Sequence, residues 1–279
     1  MNNEKIVFVG GAMRSGTTIL HRVLCTAEGS HPYIAESWYL LAQMRLFRDT
    51  LEHYALRGQD FFGPKANFDA HMRKLFEQHI DNILRLHSPA TLAILKQPEL
   101  TAQFPILGRW FPRAHLVVNI RDPRDTIASI MVVMEKHRAA GIGSKAAERP
   151  AIGRLCNIFL SHYRWMETVK PQVAERIVLV RYETLMASPA ETLHGLEQSL
   201  GFKFDLQRVM AFGEIREKSA NLDAEHRLAH PFFGAYYSEL YNKTLSDERI
   251  GRYAETLTTA EISEIETRCA DFAAKYGYW

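Results

Sequence analysis

The chain has 279 residues, 47% of them hydrophobic and 24% charged, with a formal net charge of +2. That supplies one sizeable core and fits a single domain over residues 1–279, while near-neutrality excludes a general nucleic-acid-binding surface and leaves any anion site to locally placed arginines. Cys25, Cys156 and Cys269 are too widely spaced for a disulfide framework or a zinc pattern, and no apolar run reaches the roughly eighteen residues of a membrane span, so free thiols and a cytoplasmic location without a membrane partner are expected.

The first element is an apolar strand from Ile6 to Val9, followed through Gly10-Gly11-Ala12-Met13-Arg14-Ser15-Gly16 by a helix with Ile19, Leu20, Val23, Leu24 and Ala27 at helical spacing. A strand, a glycine turn and a helix start form an anion cradle: the first backbone N–H groups of a helix lack intrahelical acceptors and its dipole is positive there, so amides near Gly16, Thr17 and Thr18 can hold a phosphate-like group. Gly11 and Gly16 have Walker A spacing, but Thr17 stands in the lysine position, Thr18 takes the hydroxyl position, and the loop's strong cation is Arg14. An ATPase needs that lysine on its phosphates, so the loop suits a different phosphate-bearing donor.

Further along, Asp69 is placed to cap a helix whose apolar face is Met72, Leu75, Phe76, Ile80, Ile83 and Leu84. A strand from Leu92 to Leu95 ends at Lys96. Another, from Leu116 to Ile120, runs into Arg121-Asp122-Pro123, where Asp122 is a good N-cap and Pro123 a favourable first helical residue, which sets Arg121 at the strand's carboxyl end and Ser129 in the helix's second turn. Residues 139–153, rich in Gly, Ala and Ser, suit a mobile lid. A helix carries Leu155, Ile158, Phe159, His162 and Met166, and a fourth strand spans Ile177 to Val180. Ser188-Pro189-Ala190-Glu191 and Thr258-Thr259-Ala260-Glu261 are capping boxes, the second opening a last helix with Ile262, Ile265, Cys269 and Phe272 inward. The alternation gives an α/β fold: an open parallel sheet, buried on both sides by flanking helices, with ligands at the strands' carboxyl ends.

Gly11 to Thr18 resembles the 5′-phosphosulfate loop of sulfotransferases that use 3′-phosphoadenosine 5′-phosphosulfate (PAPS), and Leu116 to Ser129 is similar to that family's 3′-phosphate motif, in which an Arg ends a strand and a Ser follows eight residues later. The resemblance implies a P-loop-NTPase-like sulfotransferase architecture, PAPS as co-substrate and no metal. It assigns donor binding to Arg14, Ser15, Gly16, Thr17, Thr18, Arg121 and Ser129, with Arg14 also acting on the transferred group. Lys96 corresponds to the family lysine at the bridging oxygen. Tyr182, in Tyr182-Glu183-Thr184-Leu185, either helps enclose the adenine or belongs to the core. Ser238 and Lys243 look like the closing segment near the phosphosulfate, although the usual Lys-Pro-Val reads Lys243-Thr244-Leu245 and the usual Trp is Tyr253.

The base separates the family's branches. The cytosolic branch places a His two residues after the lysine, but Pro98 stands there. His31-Pro32-Tyr33-Ile34-Ala35-Glu36-Ser37 is similar instead to the segment that carries a Glu base in the tyrosylprotein and carbohydrate branches, which makes Glu36 the expected base and His31 its reserve. The expected acceptor is a small hydroxylated metabolite, with glycan or tyrosine hydroxyls as alternatives; Trp38, Tyr39, Phe61, Phe62, Trp165, Phe232, Phe233, Tyr236 and Tyr237 are aromatic residues that could pack in the core or line its site. The rival functions are a P-loop small-molecule kinase and a non-catalytic nucleotide-binding scaffold. Oligomeric state is left open.

Overall fold

Four Val- and Ile-rich strands, β1 (Lys5–Gly11), β2 (Leu92–Lys96), β3 (His115–Ile120) and β4 (Ile177–Arg181), pair in parallel in the order β2-β1-β3-β4 in the computed structural model, which describes residues 5–142, 150–214, 231–235 and 243–279. Registers such as Val9↔Lys96, Gly11↔Asn119 and Ile120↔Arg181 bring the carboxyl ends of all four strands to one edge.

Successive strand residues face opposite sides, so β1 feeds two cores. Ile6 and Phe8 pack with Ala93, Leu95, Leu116 and Val118 under one helical layer, formed by α2 (Trp38–Glu52), the one-turn α3 (Tyr54–Arg57) and α4 (Gln59–Phe62), α5 (Lys65–Leu86), α6 (Phe104–Trp110), α7 (Pro123–Ala139) and α8 (Ile152–Ser161). Val7 and Val9 pack with Ile94 and Val117 under the other, formed by α1 (Thr17–Leu24), α10 (Tyr182–Ala187) and α11 (Pro189–Leu200). Short helices α9 (Pro171–Ala174), α12 (Leu206–Met210) and α13 (Pro231–Gly234) follow the connections, and α14 (Thr259–Arg268) and α15 (Ala270–Tyr276) close the first layer. Each fully buried Phe8, Val7 or Leu20 side chain stabilises this arrangement by about 1.5–3 kcal/mol relative to an exposed one.

Several local expectations are corrected. β4 is an edge strand, and Leu179 stays 44% exposed, so burial on both sides does not extend to it. α5 begins four residues before Asp69 with Pro64 as N-cap, because the Lys65-Ala66-Asn67 turn can itself be helical; Asp69 instead grips Arg109 of α6 through two hydrogen bonds, of 2.6 and 2.8 Å. The Thr258–Glu261 box closes reciprocally, but Ser188 makes no side-chain cap bond: its N–H already ends α10 on the Thr184 carbonyl, leaving its backbone shared between two helices. The last helix breaks at Cys269, and the helix through Leu155 stops at Ser161, Trp165 and Met166 following in a separate 3-10 turn. Cys25, Cys156 and Cys269 are buried free thiols. Of the proposed lid, residues 143–149 lie outside the described residues; α7 runs on to Ala139. Among the described residues no helix is long and apolar enough to cross a membrane.

Candidate active site

The loop after β1 can turn only with unusual backbone angles. Gly11 has φ 131°, and a Cβ there would sit 2.6 Å from the Asn119 carbonyl oxygen; Gly16, the N-cap of α1, has φ 102°. Arg14, at φ 67°, is the only non-glycine residue with positive φ among the described residues, a local strain maintained by surrounding contacts.

Those contacts come from distant parts of the chain. The Gly11 N–H donates to Thr101 Oγ1 at 2.8 Å, and the Ala12 N–H to the Tyr163 hydroxyl at 2.9 Å. Tyr163 donates onward to the Asn119 carbonyl (3.0 Å), while the Asn119 side chain donates to the Ser15 carbonyl (2.6 Å). Burial pushes the Tyr163 phenol far above its usual range, so it stays a neutral donor. The Ser15 hydroxyl is fully buried and donates to the Ala12 carbonyl at 2.7 Å. Its side chain therefore helps hold the loop together. What the loop offers a ligand is the first-turn N–H groups of α1 and the Arg14 guanidinium.

The second motif arrives at the same place. Asp122 caps α7 by accepting from Arg124 N–H at 2.8 Å, with Pro123 first in the helix. Arg14 Nε donates to Ser129 Oγ (3.2 Å), and an Arg121 nitrogen approaches the Arg14 carbonyl (3.4 Å), so the two phosphate motifs touch. The buried Arg121 guanidinium lies 4.3 Å from the Tyr182 ring centroid, donates to the Arg249 carbonyl, and is 3.7 Å from the Asp125 carboxylate. Asp125 in turn accepts from Gly251 N–H (2.8 Å) and Tyr253 N–H (3.1 Å); burial raises its proton affinity against these bonds. Arg121 Nε is buried with no acceptor among the described residues, a donor that an anion at this place would satisfy. Tyr182, only 5% exposed, lies against both Gly16 and Arg121.

The third cluster lies at the end of β2. Lys96, 1% exposed, donates from Nζ to Thr18 Oγ1 at 3.2 Å and to Glu36 Oε1 in a short ion pair. Glu36 keeps 22% side-chain exposure and reaches this position because the N–H of its neighbour Ser37 donates to the Lys96 carbonyl (2.9 Å). The His31 ring is fully buried: Nε2 accepts from Ile94 N–H (3.0 Å) and Nδ1 lies 2.7 Å from the Pro32 carbonyl. Of the closing segment, Lys243 is exposed and Ser238 lies outside the described residues, as do Tyr236 and Tyr237.

Over residues 7–205, more than half of the chain, the sequence matches the model of the family described as "Sulfotransferase family". The chain belongs to the sulfotransferase family. Solved structures with the same fold include the sulfotransferase domain from the curacin biosynthetic pathway, 16% identical with a TM-score of 0.58 and covering 96% of this chain and 98% of that one. The sulfotransferase domain from the Synechococcus PCC 7002 olefin synthase is 18% identical, with a TM-score of 0.55 and 94% of each chain covered. No curated protein sequence matches it.

Within this sulfotransferase, Thr101, Tyr163, Asn119, Asp125 and Arg249 support the site without having been singled out in the sequence. Asn119 alone left a trace, as a polar residue in an otherwise apolar strand. The buried histidines set a pH limit on the fold. Burial lowers the proton affinity of His21, His31 and His162 below the ordinary value of 6.5. As pH falls through about 6.5 the unfolded chain takes up protons that the folded one refuses, so the stability they lend is present above that pH and is lost below it, at up to about 1.4 kcal/mol per pH unit per histidine. The melting temperature is expected to drop between about pH 7.5 and 5.5 in a calorimetric series; a flat profile would contradict the neutral assignment.

Proposed function

We propose that this sulfotransferase, acting as a single domain in the reducing cytoplasm that its buried free thiols suit, transfers the sulfuryl group of PAPS in line to a hydroxyl of a small acceptor, with Glu36 as general base. The observation that carries the reading is the pairing of Glu36 with Lys96, sixty positions apart, beside Thr18 at the head of the anion-binding helix.

The α1 amides at Gly16, Thr17 and Thr18, with Arg14, hold the 5′-phosphosulfate; Arg121 and Ser129 take the 3′-phosphate, for which the acceptorless Arg121 Nε is a fitting donor. The acceptor oxygen attacks sulfur, its proton passes to a Glu36 oxygen, and the bond from sulfur to the bridging oxygen breaks. The charge that appears on the departing phosphate is met by the Lys96 ammonium and the helix amides, so positioning and fixed charge do most of the catalysis. Trp38 and Tyr39, 46% and 57% exposed in the first turn of α2 next to Glu36, are exposed aromatic side chains suited to a small planar or apolar alcohol.

Labelled PAPS offered with phenols, alcohols and sugars in the presence of EDTA is expected to yield a sulfate ester and 3′-phosphoadenosine 5′-phosphate (PAP) one for one. Phosphoryl transfer from ATP with magnesium would overturn the reading in favour of a kinase, and PAP binding without turnover of any acceptor in favour of a scaffold. Arg121→Ala is expected to weaken PAP relative to AMP by about 1.5–3 kcal/mol, the value of charged hydrogen bonds, as read by titration calorimetry. Equal losses for both nucleotides would remove Arg121 from the 3′-phosphate.

A further inference from the structure

A parallel strand directs the N–H and C=O of alternate residues to opposite sides, so an edge strand leaves every second residue without a strand partner. On β2 the odd-numbered residues serve β1, as Gln97 N–H does towards Val9 O; Leu92, Ile94 and Lys96 point their backbone groups outward. Residues 29–37 run along this edge in place of a fifth strand. Leu92 N–H donates to the Gly29 carbonyl (3.0 Å) and the Lys96 carbonyl accepts from Ser37 N–H (2.9 Å), which are ordinary backbone bonds.

Ile94, midway between them, is served by side chains alone: its N–H donates to His31 Nε2 (3.0 Å), and its carbonyl lies 3.1 Å from His21 Nε2 of α1. Both rings are fully buried. The partners dictate the protons. A carbonyl can only accept, so His31 carries its hydrogen on Nδ1 toward Pro32 and His21 carries its own on Nε2 toward Ile94, while His31 Nε2 must remain bare to receive the Ile94 N–H.

We infer that His31 and His21 are positioning residues for Glu36: by pairing the outward backbone groups of Ile94 they fasten the 29–37 segment to the edge of β2 and so hold the carboxylate against Lys96. The inference rests on Glu36 being the base. A proton on His31 Nε2 would face the Ile94 N–H and undo the fastening at its centre. Burial opposes charging either ring, joined at His21 by Lys96 on β2 and by His31, and at His31 by the His87 ring at the end of α5, 5.9 Å away; Tyr33 packs its ring 4.9 Å from His21, and Glu36 lies beyond, on Lys96.

The test uses the full chain with H31L, H31Q and E36Q variants. H31L is expected to lower kcat about 100-fold, the effect of a catalytic group displaced by an ångström, with the PAP dissociation constant nearly unchanged. H31Q, whose amide oxygen can accept from Ile94, is expected to recover most of the loss. Full kcat in folded H31L overturns the inference, and so does an H31Q as impaired as H31L. If H31L does not fold, the wild-type protein decides: imidazole nitrogen spectra at neutral pH must show His31 protonated on Nδ1 alone and a strongly protected Ile94 amide, whereas a readily exchanging amide overturns the clamp. Full turnover in E36Q would defeat only the base assignment, because Ile94 protection reads the clamp directly.

Discussion

Glu36→Gln is expected to cut kcat by about 10²- to 10⁴-fold, the range for a positioned general base, while leaving PAP affinity close to that of the wild type. The amide keeps the shape and can still accept a hydrogen bond from Lys96, so a loss of turnover reports the missing proton acceptor. Lys96→Ala is the companion variant. It removes the cation proposed to meet the leaving phosphate, for which a loss of about 10²- to 10³-fold is typical of a single electrostatic donor. The two losses should add less than independently, because each group holds the other in place at the end of β2. Single-turnover measurements with bound PAPS separate chemistry from product release; wild-type rates in Glu36→Gln would transfer the base role to another group. Lys96 is also almost wholly buried, and with the Glu36 carboxylate replaced by an amide its charge is left with neutral side-chain hydrogen-bond partners among the described residues, the amide oxygen and Thr18. A modest fall in melting temperature therefore accompanies the change in rate.

The sheet was readable because parallel strands covered on both faces announce themselves as short β-branched apolar runs, and all four lie where such runs occur, β2, β3 and β4 each longer by one residue and β1 by three. β4 departs from the pattern as an edge strand with Leu179 exposed, whereas β2, the other edge, is lined by residues 29–37 and stays buried throughout. The phosphate motifs were readable because backbone geometry limits them to glycines, caps and a strand-ending arginine. Hydroxyl direction was not: Ser15 belongs to the motif, yet its Oγ turns inward to Ala12. The supporting shell was not readable either, since Thr101 and Tyr163 reach the loop from 90 and 151 residues away and nothing local marks them. Identical capping-box spacings at Ser188 and Thr258 behave differently because only Ser188 is also the end of a preceding helix. Glu36 was found through likeness to a known segment, whereas the histidines that secure that segment were legible only once β2 proved to be an edge.

Gly16→Ala is expected to abolish tight PAP binding and to lower the melting temperature at the same time. Two costs coincide at this position. At φ 102° an alanine backbone is strained by about 1–2 kcal/mol, and its Cβ would overlap the Tyr182 ring, with Cε2 only 2.7 Å away. The ring has little freedom to withdraw, because its other side packs on the buried Arg121 guanidinium. Relief must therefore come from the head of α1, whose amides are proposed for the 5′-phosphosulfate, or from Arg121, proposed for the 3′-phosphate. Either movement disturbs one end of the donor, so a loss of about 100-fold in PAP affinity is expected from roughly 3 kcal/mol of misfit. Adding Tyr182→Ala removes the collision but not the φ strain, and should restore affinity in part. Calorimetric titration of the single and double variants measures the coupling. Wild-type affinity in Gly16→Ala would mean that the two motifs, joined through Arg14, Ser129, Arg121 and Tyr182, can move apart without consequence, and that the donor is not gripped at both ends as proposed.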